Sequence, residues 1–137
     1  MINRFFTFLL STLFVATSTP NKINATTNDL PHCIVITHCV REDFKVSDLE
    51  NAFKKATKIV SETARTKIVE KTDSYIHAEA KTKWRRYTDD LLIKAIPEKG
   101  IIQVRSESRV GIGDNGVNQK RVDDLAYRLM TEPDSPS

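Results

Sequence analysis

The stretch from Asp90 to Met130 limits the fold more than any other part of the chain. Residues 90–96 and 101–109 read as strands, and Pro97-Glu-Lys-Gly100 between them suits a type I or II hairpin turn. In the second strand the inward positions run Ile102, Val104, Ser106, Ser108, so an apolar face gives way to hydroxyls at one end. Glycines at 111, 113 and 116 follow, and Val122, Leu125, Ala126 and Leu129 then mark the buried stripe of a helix from about Val117 to Met130. A hairpin running straight into an amphipathic helix calls for an antiparallel sheet with helices laid on one face.

The upstream half completes that sheet. Ser47-Asp-Leu-Glu50 is a capping-box pattern that starts a helix, and Leu49, Phe53, Ala56, Val60 and Ala64 recur on its buried side. Ile68 to Thr72 and Tyr75 to Lys81, separated by a turn at Asp73-Ser74, read as a second hairpin. In its second arm Ile76, Ala78 and Ala80 face the helix and Tyr75, His77, Glu79 and Lys81 face away. The expected fold class is α+β, an antiparallel sheet of about four strands with two helices packed on one face.

The N-terminus carries Arg4, a short apolar run from Phe5 to Ala16, and then small residues, which is the pattern of a secretory signal peptide over residues 1–25. A single domain is expected over residues 26–131, with 132–137 a disordered tail. Removing the leader takes away Arg4 and Lys22 and no acid, so the formal charge falls by two from +3 to +1. So balanced a surface argues against a general nucleic-acid binder. The only cysteines, Cys33 and Cys39, lie just after the leader, where an exported chain meets oxidising conditions, and a local disulfide is the plain expectation. The repeated His32-Cys33 and His38-Cys39 pairs keep open a second reading, a soft metal site for zinc or copper.

Polar residues crowd the strand-to-helix junction. Asn118 and Arg121 lie on or beside the helix stripe that faces the sheet, Ser106 and Ser108 line the strand end, and Asp89 and Asp90 open the neighbouring strand at that same end. The candidate site is therefore Asp89, Asp90, Ser106, Ser108, Arg109, Asp114, Asn118 and Arg121. Such a cluster either pins the helix to the sheet, because a buried arginine needs a carboxylate, or holds an anionic ligand group at the helix N-terminus.

Other motifs carry less. Gly111-x-Gly113-x-x-Gly116 matches the dinucleotide fingerprint in letters but lacks a parallel βαβ unit and a downstream acid, and reads as a turn with positive φ at one or two glycines. Lys81, Lys83, Arg85 and Arg86 interleave with Trp84 and Tyr87, a mixture seen in single-strand nucleic-acid binders and equally in a solvated connection whose aromatics cover the core edge. His77 beside Glu79 could form a histidine-carboxylate pair on the outward strand face.

Tyr75-Ile-His-Ala-Glu79, Arg86-Tyr-Thr-Asp-Asp90, Arg105-Ser-Glu-Ser-Arg-Val-Gly111 and Asp114-x-Gly-Val-Asn118-x-x-Arg121 together resemble the family catalogued as domain of unknown function number 1499. The resemblance spans about Leu30 to Leu129, and Cys33 and Cys39 sit where that family has a cysteine pair. It implies a small bacterial or plastid domain, often exported or membrane-associated, without an assigned activity.

The functional expectation is an exported, non-catalytic module, in the periplasm, the thylakoid lumen or outside the cell, that binds a small molecule or protein partner at the junction. One alternative is a small hydrolase- or isomerase-like enzyme using Asp89 or Asp90 as base with Arg109 or Arg121 as anion clamp. Another is a structural subunit of an envelope or photosynthetic-membrane complex. No cofactor, metal or nucleic acid is expected, membrane association is left open, and oligomeric state is not legible.

Overall fold

The computed structural model describes residues 28–111 and 113–133. The expected signal peptide, residues 1–25, and the expected tail from residue 134 onward lie outside the described residues. The elements run β1 (Cys39–Lys45), α1 (Leu49–Glu62), β2 (Thr66–Lys71), β3 (Tyr75–Lys81), β4 (Thr88–Ile96), β5 (Ile101–Ser108) and α2 (Val117–Thr131). The strands form one antiparallel sheet in the order β1-β5-β4-β3-β2.

The α+β class is as expected, with five strands in place of about four. The additional strand is β1, Cys-Val-Arg-Glu-Asp-Phe-Lys, which has charge at four of its seven positions and only Val40 and Phe44 packed against the core. Its partner β5 lies more than 50 residues away in sequence, Cys39 standing opposite Glu107. A strand so polar, paired so far away, leaves no local apolar alternation to read.

Adjacent strand residues point to opposite faces, and this parity sorts the sheet. Ile76, Ala78, Leu91, Ile93, Ala95, Ile102 and Val104 face the helices and meet Phe53, Ala56, Ile59 and Val60 of α1 and Val122, Leu125 and Leu129 of α2. The small Ala78 and Ala80 let α1 lie close to the sheet, since a larger side chain there would hold the helix off. On the other face Gln103 and Arg105 are buried as well, because the segment before β1 crosses over them. The Leu30 amide donates to Gln103 Oε1 at 2.6 Å, Arg41 Nη1 donates to the Leu30 carbonyl at 2.7 Å, and Lys99 Nζ reaches Asp29 at 2.7 Å. The Cys33–Cys39 disulfide, with Cα atoms 5.5 Å apart, fastens this strap to the start of β1. With both sulfurs bonded to each other, the thiolates that a metal reading requires are consumed.

Both ends of α1 differ from expectation by about a residue or two. The N-cap is Asp48, whose Oδ1 accepts the Asn51 amide at 3.0 Å, while Glu50 turns instead to Lys54 at 2.7 Å. A carboxylate one residue nearer the helix satisfies the free amide better than Ser47 does, because it adds charge at the positive end of the helix dipole. At the other end the helix stops at Glu62, and Ala64 lies outside it, exposed, because the chain turns through Arg65 at φ 59 into β2. The β4–β5 turn closes through Gly100 at φ 62, whose amide donates to the Pro97 carbonyl at 3.2 Å.

Replacing Asp48 with Ala is expected to lower stability by about 1 kcal/mol, read from the urea midpoint, with Ser47→Ala within about 0.5 kcal/mol of the parent. Equal losses for the two variants would return the cap to Ser47.

Candidate functional site

The eight candidate residues lie at one end of the sheet, but strand parity divides seven of them into two clusters on opposite faces, and Asp114 stands at the start of α2. Beneath α2 is a buried network centred on Arg121. Its Nη2 donates to Asp89 Oδ2 at 2.8 Å, and its Nη1 donates to Ser106 Oγ at 2.9 Å and Asn118 Oδ1 at 2.7 Å. Ser106 Oγ donates to Asn118 Oδ1 at 2.6 Å, and the Asn118 amide group donates to Ser108 Oγ at 2.9 Å and the His38 carbonyl at 3.0 Å. Asp89, Ser106 and Asn118 are fully buried. Two strands, a helix and the approach to a third strand meet in these bonds: β4 through Asp89, β5 through Ser106 and Ser108, α2 through Asn118 and Arg121, and the segment before β1 through His38.

Asp114 serves the same helix from outside. Gly116, the N-cap at φ 78, has no side chain, so Asp114 Oδ1 accepts the Gly116 amide at 3.0 Å and Oδ2 accepts the Asn118 amide at 2.8 Å. Burial pushes the Asp114 carboxyl up, but the amides of Asn118 and Gly116 outweigh it and hold the group below its ordinary value. Gly111 and Gly113 do not have positive φ; that geometry belongs to Gly116 and to Asn115 at φ 54. The glycine motif joins an antiparallel strand to a helix, and no parallel strand pair occurs among the described residues.

The second cluster lies on the helix-free face. Arg109 donates through Nε to Asp90 Oδ2 at 2.9 Å and through Nη2 to Asp90 Oδ1 at 2.7 Å and Glu79 Oε1 at 2.6 Å. His77 Nε2 lies 2.6 Å from Asp90 Oδ1, so the histidine finds its carboxylate across the strand pair rather than in Glu79 on its own strand. The Arg109 hydrogen bonds, with His77 adding to them against the effect of burial, hold the Asp90 carboxyl below its usual range, and the two carboxylates hold Arg109 above its own.

Asp89 and Asp90, treated together from sequence, thus have separate partners. Because they are adjacent in a strand, alternation alone sends one inward and one outward, and the same count sends Ser108 inward and Arg109 outward. Sequence reasoning did not reach a third feature, a cleft of about 420 Å³ between α1, α2 and the β2–β3 edge. Its floor is apolar, with Val60, Ala80, Leu91 and Leu125, and its walls carry Arg65, Lys81, Lys120, Arg121 and Arg128 against Asp124. Arg121 therefore belongs to both the buried network and the cleft wall. These cations are spread from residue 65 to residue 128, so no local motif signals them.

Fold and network define a small α+β domain whose last helix is locked to one antiparallel sheet through an arginine. The chain belongs to the family described as protein of unknown function DUF1499, whose model matches residues 13–129. No curated protein matches the chain.

Arg121→Ala is expected to cost about 3–5 kcal/mol in chemical denaturation, because it strands the buried Asp89 charge, while Arg121→Met with Asp89→Leu recovers most of that loss. A cost below about 1 kcal/mol for Arg121→Ala would remove the network from the stability of the fold. On the other face, the depressed Asp90 pKa makes its contribution fully present above the ordinary carboxylate value, near pH 4, and lost as pH falls further. Stability of the parent should fall below about pH 4, and Asp90→Asn should be less stable at pH 7 with a shallower acid limb in urea titrations.

Proposed function

We propose that the protein is an exported, non-catalytic binding module that takes an anionic ligand with an apolar portion in the cleft beside Arg121. The observation that carries this reading is the contrast between the cleft's cationic wall and its apolar floor. Arg65 and Lys81 have no carboxylate partner among the described residues, so their charges remain available to a ligand. Arg65 is also held at φ 59, a conformation costly for a side chain with a Cβ and found preferentially where a functional geometry is maintained. Its Nε donates to the Lys81 carbonyl at 3.3 Å and the Lys81 amide donates back to the Arg65 carbonyl at 2.9 Å, which ties the turn before β2 to the end of β3.

The state of the carboxylates supports binding over catalysis. Asp89 and Asp90 both carry arginine partners, and at Asp90 that pairing holds the carboxyl below its usual range, whereas a general base needs a proton affinity near the working pH. Export is supported by the N-terminal charge and apolar run and by the Cys33–Cys39 disulfide, which suits an oxidising compartment. No helix among the described residues is long and apolar enough to cross a membrane.

Octyl phosphate below its micelle concentration is expected to raise the melting temperature saturably, with octyl glucoside at the same concentration leaving it unchanged. Arg65→Gly, which relieves the φ strain, and Lys81→Ala should each weaken octyl phosphate binding about tenfold, or about 1.4 kcal/mol, while remaining folded. Equal response to the two detergents, or full affinity in both variants, would overturn the cleft as an anion site.

A further inference from the structure

We infer that the end of the sheet carrying the disulfide loop and the β3–β4 loop docks on an anionic lipid bilayer, with Ile34, Ile36 and Trp84 entering the headgroup region. The inference stands on exposed loops and not on the cleft, so either can fail alone.

The strand register brings these loops together. Cys39 stands opposite Glu107, Glu107 opposite Asp90 and Asp90 opposite Glu79, so the start of β1, the end of β5, the start of β4 and the end of β3 form one edge of the molecule. The disulfide loop, residues 33–39, and the β3–β4 loop, residues 82–87, project from that edge. Two to three strand spacings separate their roots, about 10–14 Å.

Each loop holds apolar side chains in water. Ile34 is 93% exposed, Ile36 83% and Trp84 86%. The reading in which the aromatics cover the core edge does not hold for Trp84. Both loops are also braced at the base. The disulfide closes the first, and in the second the Thr82 amide donates to the Tyr87 carbonyl and the Tyr87 amide donates to Thr82 Oγ1, each at 2.9 Å. Lys83 Nζ stands 5.2 Å from the centre of the Trp84 ring, placing a cation directly against the exposed aromatic.

Charge names the partner. Lys83, Arg85 and Arg86 flank Trp84 in the chain, the loop contains no acid, and none of the three has a carboxylate partner among the described residues. The acids nearest in the sheet are already engaged, Asp89 by Arg121 and Asp90 by Arg109. With a whole-chain charge of only +3, this is a local cationic patch rather than a general basic character. Isolated apolar tips on separate loops, backed by lysine and arginine, suit a fluid anionic surface that admits each tip separately; tryptophan is at home at the headgroup level. A folded protein partner would instead need a continuous apolar patch.

Trp84 is the only tryptophan, so its fluorescence reports on this loop alone. The full chain is mixed with vesicles of phosphatidylcholine, with or without about one third phosphatidylglycerol. Anionic vesicles are expected to shift Trp84 emission to the blue and expose it to quenching by brominated lipid, and neutral vesicles to do neither. Lys83→Gln, Arg85→Gln and Arg86→Gln should each weaken this response about fivefold. Ile34→Ser with Ile36→Ser, at exposed positions that the fold does not use, should weaken it further while the melting temperature holds. Vesicle binding with Trp84 still in water, an unchanged response in the loop variants, or a Trp84 shift with single-stranded oligonucleotide and none with vesicles would each overturn the inference.

Discussion

The buried pair of Arg121 and Asp89 is the interaction on which the arrangement of this molecule rests. An arginine under a helix is tolerated only if its donors find acceptors, and here a carboxylate, a hydroxyl and an amide oxygen supply them. Each acceptor comes with a consequence for the fold. Asp89 fixes how β4 meets α2, Ser106 does the same for β5, and Asn118 passes the connection on to the backbone before β1. Apolar contacts between α2 and the sheet favour burial but hardly distinguish one helix rotation from the next, whereas these hydrogen bonds are directional.

The same end of the sheet has a second arginine with a different setting. Arg109 lies on the helix-free face, nearly half exposed, and holds Asp90 and Glu79 from above while His77 closes on Asp90 from the next strand. Exposed pairs of this kind contribute little individually, and Arg109 bridges the two neighbouring carboxylates. The acids at this end are therefore neutralised within the domain, which leaves Lys81, Lys83, Arg85, Arg86 and Arg65 as the charges that face outward. A cationic cleft with an apolar floor and a cationic loop with an exposed tryptophan both follow from that internal neutralisation.

Much of the fold was legible because its signals are local. The β4–β5 hairpin, the β2–β3 hairpin and both helices carry their own periodicity and turn residues, and of the expected α2 stripe Val122, Leu125 and Leu129 lie in the core while Ala126 is half-buried. β1 was not legible, since its pairing with β5 is distant and its composition is charged. The candidate site was legible as a list but not as an arrangement. Ser106, Asn118, Arg121 and Asp89 join one network, Asp90 and Arg109 another, and Asp114 caps the helix. The alternation rule already separated Asp89 from Asp90, but the partners His77 and Glu79 required the register of β3 against β4.

Spacing along the chain alone marks α1, α2 and the strands β2 to β5, the faces they bury, and a junction with more polar residues than packing needs. Which charges cancel at the junction depends on the fold, because the pairs of Arg121 with Asp89 and of Arg109 with Asp90 and Glu79 span 19 to 32 residues and meet only across the sheet. The cleft walls come from α1, α2, β3 and the turn before β2, and the exposed edge from loops some 50 residues apart. Their common position follows from the strand order, which is set by how the long β1–α1–β2 connection carries the chain from one sheet edge to the other.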